Sequence, residues 1–187
     1  MSVFPNAGFP PCALWDFALK LYSNPTVEQA CLSLQNRKGV DVNLLLFCVW
    51  VAASGREELR EVELEEGMAI SHYWQEATVR PMRNIRNFLK PPLKYVDNRL
   101  TNELKRVVSE SEIYAEKLQL LALDRLIDRP ATASFSGSIC ARAAVQNLFK
   151  YLAKELDAEP DDQDRADIKA IWLAVFSEED ELFDEIA

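Results

Sequence analysis

The feature that most constrains the fold is the stretch GVDVNLLLFCVWVAA at positions 39–53, in which every residue from Leu44 to Ala53 is apolar. A helix of these residues would be hydrophobic on every side, which is typical of an element enclosed by others. Its valines also suit a buried strand, which is the alternative. Gly39 can end a preceding helix and Asp41 can cap a new one, and the run is long for a strand, so we predict a helix. A membrane span would need about 20 apolar residues, so this is predicted to be a globular core element.

Length and composition indicate one folded domain. The chain has 187 residues, 49% of them hydrophobic, and only five glycines. We therefore expect a single helical domain over residues 1–187, with an irregular arm at 1–11 and an acidic tail at 177–187. The first residues, MSVFPNAGFPP, carry neither the basic nor the apolar region of a signal peptide, so a cytoplasmic location is expected.

Apolar residues recur at helical spacing along most of the chain, which predicts an all-α bundle of about seven or eight helices around the 42–53 segment. A first helix is predicted at about 12–22. A second is predicted to begin either at Pro25 with Asn24 as its cap or at a capping box of Thr26 and Gln29. Residues 68–79 are predicted to be helical with Ile70, Tyr73, Trp74 and Ala77 inward, until Pro81 kinks or restarts the helix. Further helices are expected at 101–128 and within 141–156 and 168–176, and a loop at 130–138.

Charge is unevenly distributed along the sequence. The net charge is −9, yet residues 80–106 contain eight basic side chains against Asp97 and Glu103, whereas residues 154–187 contain thirteen acidic side chains against three basic ones. Within RPMRNIRNFLK, the spacing of Arg80, Arg83, Arg86 and Lys90 places all four on about a third of a helix circumference. This pattern predicts a basic stripe with an apolar back.

The basic stripe has two interpretations. As a functional surface it would bind an anion, such as nucleic-acid phosphate, a phosphorylated ligand or an acidic protein, because arginine makes two-point contacts with phosphate and carboxylate. As a structural feature it would be a solvated face, or would pair with the glutamates at 57–66 or with the acidic tail. Nucleic acid is the less favoured partner, because an acidic molecule repels a polyanion.

Motifs for catalysis or cofactor binding are weak. His72, the only histidine, lies near Trp74 in HYW, and both are candidate cavity residues. The sequence contains no motif with a nucleophile or a second histidine. We therefore predict no catalytic residue, no cofactor and no metal site. The pair Asp124 and Asp128 with Asp161, Asp162 and Asp164 could hold magnesium, but neighbouring arginines favour charged helix ends. The four cysteines lack CxxC spacing and are interpreted as small reduced hydrophobes.

Several segments together resemble an uncharacterised proteobacterial family, the domain of unknown function 2390 family. They are Trp15-x-Phe17 with Leu21-Tyr22, ACLSLQ at 30–35, GVDVNLLLF at 39–47, and Trp74 followed by RPMRNIRNFLK. The resemblance spans roughly residues 14–150. It implies a bacterial cytosolic helical protein and brings no activity, cofactor or catalytic residue to carry over.

Three functions are compatible with these patterns. The first is a non-enzymatic binding or adaptor protein that presents the basic stripe to an acidic partner. The second is a helical enzyme or small-ligand binder with an anion-binding cavity near His72, Arg83 and Arg86. The third is association with RNA or the ribosome. No membrane partner is expected, and the oligomeric state is left open.

Overall fold

Helices make up most of the structure. A computed structural model describes residues 8–131 and 137–186, and nine α-helices lie in these two ranges. They are α1 (Ala13–Tyr22), α2 (Pro25–Lys38), α3 (Val42–Ala53), α4 (Glu61–Trp74), α5 (Arg80–Phe88), α6 (Asn98–Asp124), α7 (Gly137–Leu156), α8 (Asp162–Leu173) and α9 (Asp180–Ile186). A π-helical segment, Gln75–Val79, joins α4 directly to α5. Within the described ranges there is no strand, so the predicted all-α fold is confirmed.

The predicted central helix is α3, and the strand alternative is wrong. Gly39 ends α2 in the left-handed conformation, with φ 74°, which a residue without a Cβ adopts at low cost. Asp41 then caps α3 by accepting a hydrogen bond from the backbone N–H of Asn43 at 3.0 Å. Residues 44–52 are all buried. The helix packs against α1, α2, α4, α6 and α7, and this enclosure explains why it needs no polar face.

Acidic residues near the C-terminus form ion pairs and a helix cap within the fold. Asp161 and Asp164 form a reciprocal capping box at the start of α8. Arg37 of α2 pairs with Asp164 at 2.8 Å and with Asp167 at 2.7 Å. A hydrogen bond from Lys38 lowers the pKa of Asp161 to about 2. These ion pairs fasten α8 to α2, so this acidic cluster is not a free surface.

The predicted acidic tail also takes part in the core. Its helix α9 packs on α7, and the Phe183 ring is 2% exposed. The centre of this ring lies 5.4 Å from that of Trp172 and 6.1 Å from that of Phe149. Of the predicted irregular arm at 1–11, residues 8–11 are non-helical and the rest lies outside the described residues. The predicted loop at 130–138 is described only at 130–131 and 137–138, and α7 already begins at Gly137.

The chain remains helical through Pro81 because the turns before it are wider. Proline lacks an N–H and its ring clashes with the carbonyl four residues earlier, here that of Ala77. In the π segment the N–H of Arg80 bonds to the carbonyl of Gln75, five residues back, which relieves that crowding. Residues 61–88 therefore form one continuous rod.

The predicted inward face of this rod needs correction. Tyr73 is 69% exposed and Ala77 is exposed, whereas Ser71, Gln75 and Val79 are buried. Two of these buried residues are polar because they bond to a buried carboxylate described below. Ile70 does pack against the core and Trp74 is partly buried, so the apolar pattern was wrong at Tyr73 and Ala77.

The last turns of this rod and the start of α6 form a helical hairpin at residues 80–106. The hairpin contains α5, the connecting segment 89–97 and the first third of α6, and α5 packs along α6. The helix α6 has 27 residues, close to the long helix predicted at 101–128. Its C-terminal part contacts α3 and α4, so it links the hairpin to the core.

Candidate functional site

The four members of the basic stripe divide into two pairs. Arg83 and Arg86 point towards α6, where their side chains are 23% and 28% exposed. Arg80 and Lys90 are exposed and have no ion pair or side-chain hydrogen bond among residues 8–131 and 137–186. The stripe thus has an inner pair engaged with the chain and an outer pair open to solvent.

The inner pair is held by two glutamates of α6. Arg83 donates to Glu112 and to Glu116, both at 3.0 Å, and to the side-chain oxygen of Gln35 at 2.9 Å. Arg86 donates to both oxygens of Glu112, at 2.5 and 3.1 Å. The Glu112 side chain is 6% exposed. Burial alone would raise the pKa of Glu112, but hydrogen bonds from Arg86 and Arg83 outweigh it and lower that pKa below its ordinary value.

Beside these arginines lies a cleft of about 630 Å³. It is bounded by α1, α2, α3, the π segment, α5 and α6, and its size suits a small organic molecule. Its apolar wall consists of Trp15, Ala18, Leu19, Tyr22, Leu32, Val42, Leu46, Ile113 and Leu120. Its polar wall consists of Glu28, Gln35, Asp41, Asn43, Gln75, Arg83, Arg86, Ser109, Glu112 and Glu116.

A buried polar network forms the inner end of the cleft. Besides the N–H of Asn43, the carboxylate of Asp41 accepts hydrogen bonds from Ser71, from Gln119 and, at 3.1 Å, from the side-chain amide of Gln75. Burial raises the pKa of Asp41, although these four donors act in the opposite direction. The network joins α3, α4, the π segment and α6, so it fixes the helices that define the cleft.

Two glutamates of the cleft are less completely paired. Among the residues that the structure describes, Arg83 alone donates a hydrogen bond to the Glu116 carboxylate, at Oε1, and burial raises the pKa of this carboxyl. Glu28 is exposed at the cleft and its carboxylate has no hydrogen bond or ion pair within the described part of the chain. These carboxylates leave acceptor capacity at one side of the cleft.

The two predicted cavity residues, His72 and Trp74, do not line this cleft. The His72 side chain is 53% exposed and its Nε2 lies 3.1 Å from Glu155 of α7. Trp74 is partly buried, with its ring 6.2 Å from that of Tyr73. The structure therefore brings Arg83 and Arg86 to a cavity but leaves His72 and Trp74 on another side of the rod.

Three of the five aspartates that sequence reasoning considered for metal binding have other contacts. Asp124 accepts the N–H of Leu14 at 3.0 Å, and Asp161 and Asp164 pair with α2. In residues 8–131 and 137–186, no group of three or more Cys, His, Asp and Glu side chains could hold a metal ion. All four cysteines are free, and burial raises the pKa of Cys31 to about 12, which keeps that thiol protonated.

The hairpin has an unusual concentration of exposed apolar side chains. Six of the twelve large hydrophobic residues that are exposed in the described ranges lie between positions 85 and 104. They are Ile85, Phe88, Tyr95, Val96, Leu100 and Leu104, and Tyr95 is 93% exposed. Such a concentration on a surface is typical of a binding interface.

Sequence reasoning missed the polar partners that organise this region. Ser71, Gln75 and Gln119 are separated from Asp41 by 30, 34 and 78 positions, and Glu112 is 26 positions from Arg86. The one local signal is the spacing of Ser71 and Gln75, which places two polar residues on one side of an otherwise amphipathic helix.

Comparison with known proteins identifies a family. No curated protein and no solved structure matches the chain. In the part of the chain that the structure describes, no helix is both long enough and apolar enough to cross a membrane. A family model matches residues 13–123, which include α1 to α5, nearly all of α6 and every residue that lines the cleft. The chain belongs to this family, described as protein of unknown function (DUF2390).

Proposed function

We propose that the protein is a non-enzymatic binding protein whose 80–106 hairpin receives an acidic, amphipathic helix of another protein. The observation that carries this proposal is the coincidence of two properties in one segment. The hairpin has eight basic residues against two acidic ones, and it exposes six large apolar side chains. An acidic amphipathic helix is complementary to both properties.

The open basic side chains of the hairpin include the outer pair of the stripe and one base of α6. Arg80, Lys90 and Arg99 are exposed, and their side chains have no hydrogen bond or ion pair within residues 8–131 and 137–186. Arg83 and Arg86, by contrast, are engaged by Glu112. We infer that the inner pair keeps α5 on α6, while the outer bases attract the partner.

The apolar side chains supply the free energy of docking. Phe88 is 65% exposed, Leu100 57% and Leu104 50%. Full burial of a wholly exposed side chain of this size contributes roughly 1.5–3 kcal/mol, so each of these three, which are already partly covered, would contribute roughly half of that or somewhat more. The basic residues of the hairpin are interspersed with these apolar residues in the sequence, and the net charge of the protein is −9. A protein helix therefore suits the surface better than a nucleic acid does.

The proposal is tested by comparing three tagged proteins in a nuclease-treated lysate. They are the wild type, the hairpin variant Arg80→Glu/Lys90→Glu/Arg99→Glu, and the control variant Lys20→Glu/Arg125→Glu/Arg142→Glu. The control reverses three exposed bases outside the hairpin, so both variants have the same net charge. We expect a set of proteins that bind the wild type and the control, are lost from the hairpin variant, and dissociate at high salt.

Crosslinking coupled to mass spectrometry then locates the contact. The proposal requires crosslinks between the hairpin and an acidic amphipathic segment of the captured protein. It is refuted if both variants retain the same proteins, if the crosslinks lie elsewhere, or if the hairpin variant loses only RNA from an untreated lysate.

A further inference from the structure

The cleft beside α5 is a second candidate binding site, separate from the outer face of the hairpin. We propose that it binds an organic cation, with its ammonium group at Glu116 and Glu28 and an apolar body along the wall of α1 and α6. The cleft has a volume of about 630 Å³, and its apolar wall includes Tyr22, Leu46 and Ile113. A polar group at one side and apolar residues at the other are typical of sites for small organic ligands.

The charges that line the cleft favour a cation over an anion. Four carboxylates line it, those of Glu28, Asp41, Glu112 and Glu116, against the guanidinium groups of Arg83 and Arg86. Both arginines are already engaged, because Glu112 accepts from each of them and Glu116 also accepts from Arg83. An added anion would approach this excess of negative charge, whereas a cation would reduce it.

The acceptors available to a ligand are those of Glu116 and Glu28. The Glu116 side chain is 28% exposed, so it can be reached from the cleft, and Arg83 occupies only its Oε1. Burial raises the pKa of Glu116, which is the behaviour of a carboxylate whose charge is incompletely compensated. Glu28 is exposed at the same cleft. The Asp41 carboxylate is saturated by four donors and is not needed as a ligand.

The structure already places one of its own cations beside the aromatic wall. The ammonium nitrogen of Lys117 lies 4.9 Å from the centre of the Trp15 ring and 4.2 Å from that of Phe9. A ligand cation is therefore expected deeper in the cleft, between α2 and α6, while Tyr22 and Ile113 contact its apolar body.

The test uses three probes with the same phenylethyl body and different polar groups in isothermal titration calorimetry. They are 2-phenylethylamine, the neutral 2-phenylethanol and the anionic 3-phenylpropanoate. The amine is expected to bind at least about tenfold more tightly than either of the others, because a hydrogen bond between an ammonium group and a carboxylate is stronger than one that involves a neutral donor. Tighter binding of 3-phenylpropanoate, equal binding of all three, or no saturable binding of the amine overturns the proposal.

Three variants locate the binding. Glu116→Gln removes the charge and is expected to weaken amine binding about tenfold. Glu66→Gln changes an exposed glutamate of α4 outside the cleft and is expected to bind as the wild type does. Leu32→Trp enlarges a side chain that is 38% exposed at the cleft, so it should fold normally and block the amine. Unchanged affinity in both Glu116→Gln and Leu32→Trp contradicts the assignment. The hairpin variant should bind the amine normally, so failure of either proposal leaves the other intact.

Discussion

Arg86 of α5 donates two hydrogen bonds to Glu112 of α6, one from Nε and one from Nη2, and each reaches a different carboxylate oxygen. Arg83 adds a bond to the same carboxylate at 3.0 Å. One buried glutamate therefore holds two cations that the sequence presents as part of a basic surface. The pairing makes the hairpin a rigid extension of the core.

Loss of the Glu112 charge should destabilise the fold. Glu112→Gln removes the only carboxylate that Arg86 contacts within the described residues and one of the two that Arg83 contacts, so we expect the free energy of unfolding to fall by roughly 2 kcal/mol. Urea denaturation followed by circular dichroism measures the change. Glu103→Gln is the control, since its pair with Arg106 is exposed and screened by solvent, so this substitution should change the free energy of unfolding much less than Glu112→Gln does. Equal effects of the two substitutions would contradict this role of Glu112.

The same ion pairs predict a pH dependence. The pKa of Glu112 lies below its ordinary value of 4.5, so the folded state binds its proton less readily than the unfolded state does. The stability that its charge contributes is therefore present above pH 4.5 and is lost as the pH falls through the folded-state pKa. The wild type and Glu112→Gln should differ most at neutral pH and converge in acid. If the difference in stability between the two proteins stays constant or grows in acid, this explanation is wrong.

Asp41 should contribute more to the free energy of unfolding than an ordinary helix cap does. Asp41→Ala removes the cap of α3 and leaves the Ser71 hydroxyl and the Gln119 amide nitrogen without their acceptor in the interior, so we expect a loss of about 3 kcal/mol. Asp97 provides a matched control, because it caps α6 by accepting the N–H of Arg99 at 2.7 Å in an exposed position. Asp97→Ala should cost about 1 kcal/mol. Similar losses in both variants would show that the buried network adds nothing.

Apolar substitutions in the hairpin should separate binding from stability. Phe88→Ser and Leu100→Ser remove side chains that are more than half exposed, so the free energy of unfolding should change by no more than about 0.5 kcal/mol. Affinity for the partner identified by capture should fall about tenfold or more, as is usual for an apolar anchor of an interface. Val62→Ser is the control, because Val62 is 63% exposed but lies on α4. Undiminished affinity in both hairpin variants would exclude these anchors.

The parts of the fold that were predictable from sequence are those set by local rules. Continuous apolarity identified α3, and the residues that cap or end helices, Asn24, Gly39 and Asp41, act at the predicted positions. The long helix near 101–128 and the later helices at 137–156 and 162–173 follow from apolar spacing in the same way.

The candidate site was less predictable because it depends on distant pairings. The stripe of α5 was evident, but nothing in the sequence indicated that Glu112 would hold Arg83 and Arg86 while Arg80 and Lys90 stay open. The inward face of the rod was mistaken at Tyr73 and Ala77, since Ser71 and Gln75 bond to a carboxylate of another helix. Helical spacing reports which residues share a side, but it does not report which side meets the core.

The π segment determines which residues of α5 can meet α6. The steps from Ser71 to Gln75, Val79 and Arg83 are four residues each, and each exceeds a regular α-helical turn by about 40°. In an unbroken α-helix Arg83 would thus lie about a third of the circumference away from Ser71, whereas the wider turns absorb part of this rotation. Regular α-helical turns over the same number of residues would rotate both arginines away from Glu112. The width of the turns in this short segment, rather than the identity of its outward side chains, therefore sets the alignment of the hairpin with the core.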